Sequence, residues 1–175
     1  MEYLANPSLE ESKLAYKEFT GNIVNFAREF ISCMNDQSVA EHAKLTELLF
    51  KLGEEKLLSP VDFTTAIGQH FTEMEDTIVD VPLLPKFLAL ALKPWLCNGF
   101  LAIATIRHLT DKISTECGAS TRRDFIAAII LHVCDGRDDI FEEMKQTNIS
   151  ALLEPVDESD STLEAFLASK NLPTL

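Results

Sequence analysis

Apolar residues along this 175-residue chain recur every three to four positions, the spacing of one face of an α-helix. Ile23, Phe26, Ala27, Phe30, Ile31 and Met34 form one stripe; Leu45, Leu48, Leu49 and Leu52 form a second. Phe63, Ile67, Phe71 and Met74 make a third, predicting a helix that ends near Glu75. Leu84, Phe87, Leu88, Ala91 and Trp95 are a richer version, as expected of a more deeply buried helix. Further helical runs follow at Leu101 to Ile113, Phe125 to Val133, Ile140 to Met144 and Leu163 to Leu167. No sustained two-residue alternation occurs, so no strand is predicted.

The punctuation between the stripes agrees. Ser8 with Glu11, Ser38 with Glu41, and Ser161 with Glu164 have capping-box spacing, in which a hydroxyl and a carboxylate each satisfy a free backbone N–H. Ser59-Pro60 places a cap before a first-turn proline, with Asp62 near the positive end of the helix. Asp80 is expected to cap the next helix, with Pro82 in its first turn. Gly53, Gly99, Gly118 and Gly136 read as helix stops, and Pro94 as a kink, because it cannot donate to residue 90. Short connections make successive helices antiparallel. The expected fold is all-α, a HEAT-like stack of antiparallel helical hairpins with an extra C-terminal helix. Residues 1–150 form the repeat domain, and 151–175 an acidic link and tail helix that ends near Lys170. The link runs through 154–161, and Leu172 to Leu175 either pack back or fray. Met1 to Leu4 read as the end of a helix that starts earlier, so a piece of a longer chain is expected.

Composition narrows what such a stack does. Acids outnumber bases 28 to 15, a net charge of −13. That balance is repelled by phosphate backbones and anionic membranes, which disfavours nucleic acid and membrane partners and favours a basic protein. No secretory leader pattern precedes residue 30, and the apolar run from Val81 to Leu109 is too interrupted to span a bilayer. Cys33, Cys97, Cys117 and Cys134 lack C-x-x-C spacing, so reduced thiols in a cytoplasmic protein are expected.

Catalytic patterns are sparse. His42, His70, His108 and His132 are scattered, and no phosphate-binding glycine loop or nucleophile elbow is present. His70 and Glu73 have ligand spacing on one helix face. They leave open a metal- or acid-dependent hydrolase built on His70, Glu73, Asp76 and Asp80, but a di-metal bundle needs that motif twice. The expected protein is not an enzyme and carries no cofactor or metal.

One stretch stands apart. "EMEDTIVDVP", residues 73 to 82, holds Glu73, Glu75, Asp76 and Asp80 with no lysine or arginine. Acids crowding the C-terminal end of a helix face the negative end of its dipole, a cost of a few tenths of a kcal/mol up to ~1, and a basic partner would offset it. The following helix is "LLPKFLALALKPWL", residues 83 to 96. An acid, three residues, Asp, Val and Pro, leading into a Leu/Ala-rich helix, resembles the MA-three domain of the eukaryotic translation initiation factor 4 gamma family, found in tandem in programmed cell death protein 4. Asp76, Asp80, Val81 and Pro82 match position by position. "EYLAN" is similar to the end of that family's first helix, and "NISALLEP" with "LEAFLASKNL" to the tail helix of the initiation-factor scaffolds, including the death-associated relative. The resemblance implies a non-catalytic scaffold domain that binds the DEAD-box RNA helicase initiation factor 4A and modulates cap-dependent initiation. Asp76 and Asp80 would be the contacts, Glu73 and Glu75 would reinforce the field, and Pro82 would fix the corner. Within the same family, the alternative is a scaffold paralogue that does not bind the helicase.

Overall fold

The computed structural model describes residues 8–19, 21–34, 37–71, 81–116, 118–153, 162–170 and 172. Among them are nine α-helices and no strand: α1 Leu9–Glu18, α2 Ile23–Met34, α3 Val39–Glu54, α4 Pro60–Phe71, α5 Leu84–Cys97, α6 Ala104–Glu116, α7 Gly118–His132, α8 Asp138–Gln146 and α9 Leu163–Ser169. A short 3₁₀ turn, Ile149–Leu153, follows α8.

The helices interleave in two layers. α1, α3, α5 and α7 pack in succession on one side, and α2, α4 and α6 on the other, as a helical repeat stack requires. Ring contacts give the directions. His42 in α3 stacks on Phe87 in α5, and Phe50, two turns further along, meets Trp95 and Phe100, so α3 and α5 run parallel. Phe63, near the start of α4, stacks on Trp95 near the end of α5, so α4 runs against α5. One core runs through the stack from Phe26 to Leu172.

Local chemistry explains most helix starts. Ser38 and Glu41 form a full capping box: Ser38 Oγ accepts from Glu41 N, and Ser38 N donates to Glu41 Oε2 at 3.1 Å. Ser59 Oγ accepts from Asp62 N at 3.1 Å, and Ser8 Oγ from Glu11 N at 3.1 Å.

Several expected boundaries move. The cap of α9 is Thr162, whose Oγ1 accepts from Ala165 N; Ser161 lies outside the described residues. The cap position of α5 falls on Leu83, not Asp80, and the first-turn proline is Pro85, not Pro82. A turn closed by Leu84 N on Val81 O holds Pro82 just before the helix. The residue preceding a proline is pushed away from helical geometry, which favours this bend at Val81. The run expected from Leu101 starts at Ala104, because the N–H groups of Phe100 and Leu101 both return to Trp95 O across Gly99, at φ +71°. Gly53 is not a stop: it lies within α3, and the left-handed residue beyond the helix is Lys56. Gly118 begins α7 instead of ending α6. Pro94 lies in the last turn of α5, which continues to Cys97.

The tail packs on the stack. Phe166 and Leu167 are buried, the Arg123 guanidinium lies 4.3 Å from the Phe166 ring centre, and Lys170 pairs with Asp124 at 2.8 Å. Leu172 is buried and its N–H returns to Leu167 O, so it packs back.

Candidate functional site

The acidic corner joins α4 to α5. Both of its ends are anchored by core residues. Phe71 closes α4 fully buried and meets Phe125 edge-on, with ring centres 5.9 Å apart. On the far side Val81 packs partly against the core and Leu84 is fully buried. Glu73, Glu75, Asp76 and Asp80 lie outside the described residues. Of the expected site only Pro82 is described: it is exposed in the turn before α5, beside Leu83, whose side chain is 52 % exposed.

Pro82 and Leu83 border a groove of about 180 Å³ that also meets Lys86, Leu131, His132 and Lys170. Lys170 is engaged by Asp124. Burial, and then the positive charges of Lys86 and Lys93, hold His132 below the ordinary histidine range. Of the charged residues that line this groove, Lys86, Asp124 and Lys170, the last two neutralise each other.

The hydrolase reading gains no cluster here. His70 is buried in α4, its three companions lie outside the described residues, and no group of three or more His, Cys, Asp or Glu side chains converges among the described ones. Cys134 is buried beside Met144, donating to Met144 Sδ at 3.2 Å, and burial pushes its thiol up to about 11, the opposite of an activated nucleophile. No described helix is long and apolar enough to cross a membrane.

Sequence reasoning missed a second opening. A groove of about 570 Å³ runs between α3 and α5 over Val39, Ala43, Phe50, Leu90 and Pro94. His42, only 2 % exposed, lines it with Thr46, whose Oγ1 lies 3.5 Å from His42 Nδ1. Burial against Phe87 holds His42 down to about 4, so its ring is neutral at physiological pH. The signal was present: Val39, Ala43 and Phe50 give α3 a second apolar edge beyond the Leu45–Leu52 stripe, and a helix apolar on two sides has a second neighbour or an open groove.

No model of a known protein family, no curated protein and no solved structure matches this chain.

Proposed function

We propose that this chain is a protein-interaction domain of a translation-initiation scaffold of the MA-three type, which binds the DEAD-box helicase initiation factor 4A through its acidic corner and performs no catalysis of its own. The observation that carries the reading is the ordered run of Asp76, Asp80, Val81 and Pro82 leading into the apolar α5 of a helical repeat stack. The layered architecture supports it: Phe71 and Leu84, which flank the connection, are both fully buried in the core of the stack. Paired carboxylates suit the role chemically: they accept bidentate hydrogen bonds from arginine and steer a basic partner toward the surface. A cytoplasmic location follows from this reading.

The test is binding of purified initiation factor 4A to the wild-type chain and to the Asp76→Lys/Asp80→Lys double variant, both checked for equal helicity by circular dichroism. Binding by the wild type alone supports the corner as the docking site. Association should slow as salt rises past physiological strength, where the Debye length is about 8 Å. If neither binds, the reading fails in favour of the non-binding scaffold paralogue; a wild-type on-rate indifferent to salt removes the electrostatic argument.

A further inference from the structure

We infer that the groove between α3 and α5 is a second docking site, which takes an acidic amphipathic helix of a partner protein. The inference does not rest on the helicase reading, and the two sites call for partners of opposite charge.

Shape comes first. The α3 residues that line the groove run from Val39 to Phe50 at intervals of three and four. At 1.5 Å per residue this is a trough of about 16 Å, the length of three helical turns. Its apolar surface is uncovered: Val39 is 59 % exposed, although it is a large apolar residue in the first turn of α3. A trough open along its length suits a helix laid into it better than a small molecule, which needs most of its surface enclosed.

Charge selects the occupant. Glu47 on the rim is neutralised by Lys51, with Nζ 2.7 Å from Oε1. Lys93, also on the rim and half-buried, forms no ion pair among the described residues. On a chain of net charge −13, an uncompensated ammonium beside an apolar trough is a point of attraction for a carboxylate. His42 adds a second handle. Thr46 meets its Nδ1, while Nε2 has no protein partner among the described residues. With Thr46 donating to Nδ1, the proton sits on Nε2, where it can be donated to an acceptor on the bound helix. Pro94 contributes too: lacking an N–H, it leaves the Leu90 carbonyl without its helical donor on the groove wall. The partner is therefore a helix with apolar residues at i, i+4 and i+7 and a Glu or Asp bordering that stripe.

The probe is an alanine-rich helical peptide of about 14 residues with three leucines at that spacing and one flanking glutamate. Two control peptides carry glutamine or lysine in its place. Peptide is titrated into the ¹⁵N-labelled chain and followed by amide shifts. Shifts concentrated at Ala43, Thr46 and Leu90 are expected. Lys93→Glu should weaken the glutamate peptide by about tenfold or more while strengthening the lysine peptide, a charge-swap rescue that a damaged fold cannot produce. Val39→Asp, at an exposed position, should weaken all three. Asp76→Lys/Asp80→Lys should leave peptide binding unchanged, which separates this site from the acidic corner. Absence of shifts at the groove, or equal affinity of the glutamate and lysine peptides for the wild type, overturns the inference.

Discussion

Replacing Gly53 by alanine should destabilise the protein, against the usual rule for a glycine inside a helix. Taken alone, Gly→Ala in a helix interior stabilises by about 0.8–1 kcal/mol. Here a Cβ at residue 53 would lie 2.4 Å from Trp95 Cη2, 2.8 Å from Cζ3 and 3.1 Å from Cζ2. The indole cannot move aside. It is fully buried, stacks on Phe63 with ring centres 4.3 Å apart and 14° between planes, and meets Phe50 and Phe100 edge-on at 5.7 and 6.0 Å. Overpacking of this kind costs about 1–3 kcal/mol, and a contact that forces backbone or a stacked ring to shift belongs at the upper end. The net is a loss of about 1–2 kcal/mol, or roughly 2–8 °C in Tm for a chain of this size. Urea and thermal unfolding would measure it. Trp95 is the single tryptophan, so its fluorescence reports on this cluster alone, while circular dichroism reports on the whole stack. A double-mutant cycle gives the cause. Trp95→Phe removes the outer ring that the new methyl would strike, and removes no hydrogen bond, because Trp95 Nε1 has no partner among the described residues. In that background Gly53→Ala should be neutral or stabilising, a coupling of about 1 kcal/mol or more. A rise in Tm for Gly53→Ala alone, or a cycle with no coupling, would refute the reasoning.

Acid should weaken the fold through His42. Its folded-state value, about 4, lies below the ordinary 6.5, so the unfolded chain binds more protons between those two values. The contribution is complete above pH 6.5 and is lost as pH falls toward 4, by at most about 3 kcal/mol. His42→Phe, measured by urea unfolding at pH 7 and pH 4.5, should flatten most of that slope. Ser38→Ala and Ser59→Ala, each removing a cap hydroxyl, should each cost about 1 kcal/mol in the same assay, with Ser38 also releasing Glu41 from the reciprocal bond. Arg137 forks onto Asp139 with Nε–Oδ1 2.9 Å and Nη2–Oδ2 2.8 Å, while Nη1 donates to Cys97 O at 3.1 Å. The fork holds Asp139 down to about 2, so Arg137→Ala should return its carboxyl titration, followed by NMR, toward the ordinary range. Alkylation with iodoacetamide, read by mass spectrometry, should mark exposed Cys33 well before buried Cys134, whose thiol is held at about 11.

The parts of the fold legible in the sequence are those set within one turn of helix. Ser38 with Glu41 and Ser59 with Asp62 act over three residues, and both form the expected contacts. The core stripe of α2 was legible for the same reason: Phe26, Ala27, Ile31 and Met34 are its buried residues. What failed depended on distant contacts. Pro82 and Pro85 satisfy the first-turn rule equally well, and the choice between them followed from burial of Leu84 and Pro85 against the stack. Gly53 resembles a stop because it follows a leucine stripe, yet what it accommodates is an indole from another helix. The acidic corner was conspicuous by composition, since unneutralised charge is visible without geometry, but its four carboxylates fall outside the described residues. The α3/α5 groove was half legible: the second apolar edge of α3 could be read, whereas the absence of any helix over it among the described residues is a fact of packing.

The two proposed sites meet on one helix. The acidic corner leads into α5 through Pro82, and Lys93 lies nine residues further along than Leu84, about 14 Å away along the axis. α5 is wedged between α3 and α7 in its layer and is buried at Leu84, Leu88, Leu92 and Trp95, successive turns of one face. A helix held along its whole inner face cannot slide toward one partner without opening close-packed contacts along its length. If both proposed sites hold, the stack acts as a ruler, not a lever, fixing the spacing between Pro82, where the corner meets α5, and Lys93 on the groove. Interleaved layers suit that task, because α3, α4 and α5 are each braced by the helix two places before and the helix two places after.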